Sequence, residues 1–297
     1  MRVTRRHLAA AAGFAVANMR FRAAADAPIL EAPQLIDIGG RRLALTDAGT
    51  GEPVVILEAG LTAAAVTWYK VIPGISAFTR VCAYDRANLG RSDPGPKPRT
   101  AADAAADLAA LLKAADIPAP YVLVGSSFGG YIVRLFAADH PDAVAGMVLV
   151  DASHEDQARR LSEVLTPEQL AQLMLTAPRN IEGMDLPATW DEMRVAGPLP
   201  DIPLIVLSAQ ADKPAPAGFP ADAMNRIWRD LQDDLAKLSP NSLHLPVNTH
   251  HAIALDRPDV VVDAVRRVTD AARTGRPLAP LAGSPTPFRE PHVPDTH

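Results

Sequence analysis

The sequence predicts an α/β domain in which a mostly parallel sheet is covered by helices on both faces. Three observations carry that expectation. Short, uniformly apolar runs recur along the chain: Val54-Val55-Ile56-Leu57, Arg80 to Tyr84, Tyr121 to Val124, Gly146 to Val150, Pro203 to Leu207 and Ser242 to Val247. Segments with helical periodicity alternate with them, and strands apolar on both faces belong to sheets buried on both faces. Finally, Gly125-Ser126-Ser127-Phe128-Gly129 fits G-x-S-x-G between a strand-like run and a helix-like run. That strand–turn–helix setting lifts the central residue, Ser127, above the sheet edge.

The elements follow in order. Gln34 to Ile38 and Arg42 to Thr46 flank Gly39-Gly40 and read as a hairpin. Thr100-Ala101-Ala102-Asp103 fits a capping box, and Leu108, Leu111 and Leu112 continue it as an apolar stripe. Tyr131 to His140 is a helix ended by Pro141, and Ala221 to Leu238 and Pro258 to Ala272 are long amphipathic segments. About 50 residues, Ala152 to Ile202, separate the sixth strand from the seventh, with helix signals at Thr166-Pro167-Glu168-Gln169 and Thr189-Trp190-Asp191-Glu192. They read as a small helical lid. Leu170, Leu173 and Met174 share one face there; they line an apolar pocket or pack the lid helix onto the core. The expected organisation is therefore a core at 26–151 and 203–274, a lid at 152–202, and a proline-rich disordered tail at 275–297 with six prolines.

Residues 1–25 read as a targeting segment. Arg5-Arg6 precede an alanine-rich apolar stretch from Leu8 to Ala17, and Ala23-Ala24-Ala25 offers an A-x-A cleavage site. That order resembles a twin-arginine export signal, which implies a periplasmic or extracellular protein; without processing, the protein is cytoplasmic.

Composition narrows the function classes. The chain has 297 residues, 48% hydrophobic, with a net charge of −5. No basic run points to nucleic acid, and no apolar stretch reaches the roughly 20 residues that span a bilayer, so no stable membrane anchor is expected. The single cysteine, Cys82, lies in a core-like strand and reads as a small buried hydrophobe. His154-Glu155 lacks a second histidine at helical spacing, so no metal is expected, and no phosphate loop or dinucleotide fingerprint implies a cofactor.

A serine hydroxyl needs a base within reach and a third group to orient that base. Of eight histidines, His7, His292 and His297 lie in the leader or tail, His140 ends a helix and His244 sits within a strand. His250, His251 and His154 remain. Two aspartates close strands at the same edge: Asp151, directly after Val150, and Asp212, in Ser208-Ala209-Gln210-Ala211-Asp212.

From about Gln34 to Ala272 the chain resembles the α/β-hydrolase superfamily, in its esterase and lipase-like branch. Asp85-Arg86-Ala87-Asn88-Leu89-Gly90-Arg91-Ser92 is similar to that family's D-R-x-G-x-G-x-S turn, with Asn88 in a glycine's place. His251-Ala252-Ile253-Ala254-Leu255-Asp256-Arg257-Pro258 resembles its histidine segment, and the spacing selects His251 over His250. The resemblance implies a nucleophile at Ser127, a base at His251 and an acid at Asp151, with Asp212 as the alternative. It also implies an oxyanion hole made by the backbone N–H groups of Leu61, in Glu58-Ala59-Gly60-Leu61, and Phe128. The function it implies is a serine hydrolase acting on small-molecule carboxylic esters through an acyl-enzyme. The alternatives are perhydrolysis, C–C or amide hydrolysis with the same residues, or a small-molecule sensor with little turnover. Oligomeric state is not legible.

Overall fold

The computed structural model describes residues 32–176, 180–213 and 215–279. The expected export signal lies outside them, as do positions 280–297 of the expected tail. In chain order the strands are β1 (Gln34–Asp37), β2 (Arg42–Ala48), β3 (Val54–Glu58), β4 (Val81–Tyr84), β5 (Tyr121–Ser126), β6 (Val144–Val150), β7 (Leu204–Ala209) and β8 (Ser242–Val247). The helices are α1 (Ile72–Ser76), α2 (Ala101–Ala114), α3 (Gly129–Asp139), α4 (Gln157–Leu161), α5 (Pro167–Thr176), α6 (Leu186–Val195), α7 (Ala221–Ala236), α8 (Ile253–Asp256) and α9 (Pro258–Thr274).

One sheet runs in the order β1-β2-β4-β3-β5-β6-β7-β8. The β1–β2 and β2–β4 pairs are antiparallel and every other pair is parallel. The continuous apolar runs are explained by the two-residue period of a strand. In β3, Val54 and Ile56 face one layer while Val55 and Leu57 face the other. The first layer buries Leu108 and Leu111 of α2, Ile132 and Phe136 of α3, and Leu235 of α7. The second buries Ile72 and Ile75 of α1 and Val261, Val265 and Val268 of α9. Each fully buried Leu, Ile or Val contributes roughly 1.5–3 kcal/mol relative to exposure.

The capping box at α2 forms as expected: Thr100 Oγ1 accepts the Asp103 N–H at 3.3 Å, and Asp103 Oδ2 accepts the Thr100 N–H at 2.9 Å. Between β6 and β7 the chain forms α4, α5 and α6. Thr166 and Gln169 cap α5 reciprocally. Leu170 and Leu173 of α5 pack against Leu161, Leu165, Ile227 and Leu231, which joins the segment to α7. The α6 helix begins earlier than its sequence signal: Asp185, not Thr189, is the cap and accepts the Ala188 N–H at 3.0 Å. Thr189 is buried inside that helix, and its hydroxyl accepts the Ala101 N–H at the start of α2.

The C-terminal boundary also moves. Gly275 takes a left-handed conformation, φ 64°, and the chain continues onto the core. Leu278 is buried, and its N–H donates to Asn241 Oδ1 at 2.9 Å. The packed chain therefore extends to 279, past the expected limit of 274, because Leu278 is an apolar side chain that finds a place on the α9 layer.

Candidate active site

The β5–α3 turn is built by close approach. Ser127 has φ 50°, a left-handed conformation that costs a non-glycine residue energy and persists only where its surroundings fix it. Here its N–H donates to Val150 O at 3.1 Å, and its carbonyl accepts from Gly130 N and Ser153 N, both at 3.0 Å. A Cβ on Gly125 would lie 2.7 Å from Val133 Cγ2, and one on Gly129 would lie 2.5 Å from Glu58 O and 2.7 Å from Ala59 O. The two glycines of G-x-S-x-G thus let α3 fold back over β5 and press against the loop after β3. Phe128 is the N-cap of α3, so its N–H belongs to the group left without an intrahelical acceptor.

Asp151 leaves β6 with φ 44° and donates its N–H to Leu207 O at 2.7 Å. Its carboxylate is fully buried and receives four donors. Oδ1 accepts the Ala209 N–H at 3.0 Å and Trp228 Nε1 at 2.9 Å. Oδ2 lies 2.5 Å from His251 Nδ1 and 3.2 Å from Lys213 Nζ. Burial pushes this carboxyl up, but the His251 hydrogen bond and then the Lys213 charge outweigh it and hold it at about 2. A carboxylate only accepts, so Nδ1 of His251 carries a proton and Nε2 of the neutral ring keeps its lone pair. Trp228 meets the His251 ring edge-on, with centroids 6.0 Å apart, and Lys213 Nζ lies 3.0 Å from the Trp228 centroid. Burial pushes the Lys213 ammonium down to about 8.

The structure thus brings Asp151 to His251 and leaves Asp212 elsewhere. Past β7, the N–H groups of Gln210 and Ala211 continue to bond Val247 O and Thr249 O. Asp212 emerges at the surface, 68% exposed, where it accepts from Arg229 at 3.1 Å. His250 is exposed, beside His251. His154 folds onto its own loop, with Nδ1 accepting the Asp156 N–H at 3.0 Å, and burial pushes its imidazole down.

Opposite the elbow lies Glu58-Ala59-Gly60-Leu61; a Cβ on Gly60 would lie 3.3 Å from Ser127 Cβ. The D-R-x-N-x-G turn supports this loop. Asp85 Oδ1 accepts the Ala65 N–H and Oδ2 the Arg91 N–H, both at 2.9 Å. Asn88 has φ 73°, the left-handed conformation that makes Asn an acceptable substitute for glycine there. Arg86, Glu58 and Glu182 are all buried. Arg86 lies 2.5 Å from Glu58 Oε1 and 2.7 Å from Glu182 Oε2, and Tyr84 also donates to Glu58. Burial pushes the Glu58 carboxyl up, and the Arg86 charge works against that. Sequence reading missed Glu182, Lys213 and Trp228, and gave Arg86 no role beyond its motif. The one local signal was a glutamate closing an otherwise apolar strand. Among the described residues no group of His, Cys, Asp and Glu is arranged to hold a metal.

A sheet with one antiparallel edge, a left-handed serine at the strand–helix turn and a histidine paired to a buried aspartate together define the α/β-hydrolase class. A family model described as alpha/beta hydrolase fold matches residues 53–184. The chain is 30% identical over 230 residues to the uncharacterized protein YqjL of Bacillus subtilis, covering 75% of this chain and 86% of that one. The protein belongs to the α/β-hydrolase family. Among solved structures it is similar in fold to a thermophilic esterase from Thermogutta terrifontis (TM-score 0.55, 22% identity, 81% of this chain and 98% of that one). It is also similar to an enol-lactonase from Burkholderia xenovorans LB400 (TM-score 0.57, 19% identity, 78% and 98%). By class it is a hydrolase.

Proposed function

We propose that the protein is a serine hydrolase that cleaves carboxylic esters through an acyl-enzyme. The observation that carries this reading is the pairing of His251 Nδ1 with the buried Asp151 carboxylate at 2.5 Å, in a chain whose β5–α3 turn holds a serine at φ 50°. The esterase and the enol-lactonase that share the fold act on ester bonds by their names, which favours the same bond here.

In this reading Ser127 Oγ attacks the ester carbonyl while His251 Nε2 takes the hydroxyl proton. The carbonyl π electrons move onto oxygen, and the N–H groups of Leu61 and Phe128 receive the oxyanion. Collapse of the tetrahedral intermediate breaks the bond to the alkoxy group, which leaves as alcohol with the proton from His251. Water then repeats the sequence on the acyl-enzyme, its proton passing through His251 back to Ser127 as the acid departs. Asp151 stays ionised throughout and stabilises the imidazolium formed in each half.

The test is turnover of short-chain p-nitrophenyl esters together with labelling by an organophosphonate. Wild-type protein should release p-nitrophenol and carry the adduct on Ser127. Ser127→Ala should do neither, with at least a roughly 10³-fold loss of kcat. An adduct on Ser126, or unchanged turnover in Ser127→Ala, would refute the reading. Ester binding without release would identify a small-molecule sensor instead.

A further inference from the structure

Arg86 is satisfied at every donor. A guanidinium has five N–H groups. Nε donates to Glu182 Oε2 at 2.7 Å. Nη1 donates to Glu58 Oε1 at 2.5 Å and Ala59 O at 2.7 Å. Nη2 donates to Gly60 O at 2.7 Å and Glu182 Oε1 at 2.8 Å. Two of those acceptors are consecutive backbone carbonyls of the loop facing Ser127.

The second of them fixes more than itself. In a planar trans peptide the carbonyl and the N–H point in opposite directions. The Gly60 carbonyl belongs to the same peptide unit as the Leu61 N–H. Gly60 O also accepts the Ala63 N–H at 3.1 Å, so the carbonyl end is held from two sides. With the carbonyl drawn toward Arg86, the Leu61 N–H is turned the other way.

Glu182 comes from a different part of the chain. It lies between α5 and α6, in the segment joining β6 to β7, and is fully buried. Its turn is fastened by Arg99, whose N–H donates to Gly183 O at 2.9 Å and whose carbonyl accepts the Asp185 N–H at 2.6 Å. Asn180 closes the same turn through Met184 N and O. Besides holding Arg86, Glu182 Oε1 accepts the Thr62 N–H at 2.6 Å, on the residue after Leu61. The loop is therefore gripped through the Ala59 and Gly60 carbonyls and through Thr62.

We propose that Arg86 and Glu182 are positioning residues for the oxyanion hole: Arg86 sets the orientation of the Gly60–Leu61 peptide, and Glu182 lets the segment between β6 and β7 hold Arg86 in place. This rests on the ester-hydrolase reading above. Two consequences follow. Weakening the grip lowers stabilisation of the tetrahedral intermediate and leaves ground-state binding nearly intact. The segment between β6 and β7 also acts on the chemical step through Glu182, not only on substrate access.

The experiment compares Arg86→Lys and Glu182→Gln with wild type, with rates expressed per site titrated by phosphonate. Arg86→Lys keeps the charge but offers three donors for five acceptors. Glu182→Gln keeps the size and one acceptor oxygen, and it decides the matter if Arg86→Lys fails to fold. Each variant should lose kcat, on the order of 10²-fold for Arg86→Lys, since one oxyanion donor is worth about 10²–10³, and less for Glu182→Gln. KM should stay within about threefold, as expected when an interaction made only in the transition state is lost. Affinity for a trifluoromethyl ketone, which forms a tetrahedral adduct with the serine, should fall in step with kcat/KM. A purely structural pair would reduce the number of titratable sites or the melting temperature without changing kcat per site. Unchanged kcat per site with unchanged ketone affinity overturns the proposal. Persistent turnover in Ser127→Ala would instead overturn the serine-hydrolase reading on which it rests.

Discussion

The Asp151 carboxylate accepts from the Ala209 N–H, Trp228, His251 and Lys213, so its removal is felt in both activity and stability. Asp151→Asn leaves His251 without an acceptor that fixes its tautomer, and kcat should fall by about 10⁴. Asp212→Asn removes one surface contact to Arg229, and its kcat should stay within about twofold of wild type. Steady-state rates of the two variants on one ester check this; a crippled Asp212→Asn would reverse the assignment. Acid stability gives a second measure. Asp151 is held at about 2 against an ordinary 3.8, so its contribution is complete above pH 3.8 and is lost as the pH falls through 2. The contribution is roughly 2 kcal/mol. Urea midpoints of wild type and Asp151→Asn should therefore differ by a constant amount from pH 7 to about 4 and converge below it. The choice between the two aspartates was not legible in the sequence, because both follow apolar strands by short distances. What separates them is the ladder running past β7 to Ala211, a long-range pairing with β8 that leaves no local mark.

At the scale of elements, most of the fold was legible. The strands β3 to β7 are short, mostly apolar runs, and the capping boxes at Thr100 and Thr166 announce α2 and α5. Thr189 misled, because the same hydroxyl that caps a helix from its start can serve a neighbouring helix from within. The Arg86 clamp was hidden for another reason: its partners lie 28 and 96 residues away along the chain. Lys213 and Trp228 were hidden likewise, since only the packing of α7 on β7 brings them to Asp151. The elbow itself has little tolerance. Gly129→Ala would set a Cβ 2.5 Å from Glu58 O, and neither the strand end nor the Arg86-held carbonyl of Ala59 can yield cheaply. Forced overpacking typically costs 1–3 kcal/mol, occasionally more, and this contact is with backbone, so a loss of roughly 3 kcal/mol is expected. Activity should fall further than stability, because the displaced carbonyls belong to the loop that carries Leu61. Thermal melting and esterase rates on the same preparation separate the two effects.

Across the whole molecule the parts of the site come from strands of unequal standing. Ser127 follows β5 and Asp151 follows β6, both interior to the sheet and paired on each side. His251 follows β8, which pairs only with β7 and is half-buried along most of its length. An edge strand opens at lower free energy than the strands inside it. Ser127 and Asp151 therefore share the protection of the global core, and His251 depends on the margin. Deuterium uptake by amides of β8 should run ahead of uptake in β5 and β6, and reversible loss of activity on warming should track β8 while the bulk of the sheet is still closed. If activity and β5 protection vanish together, the margin is as firm as the centre. Otherwise the working temperature of this protein is set by how often one strand breathes, well before the temperature at which the molecule comes apart.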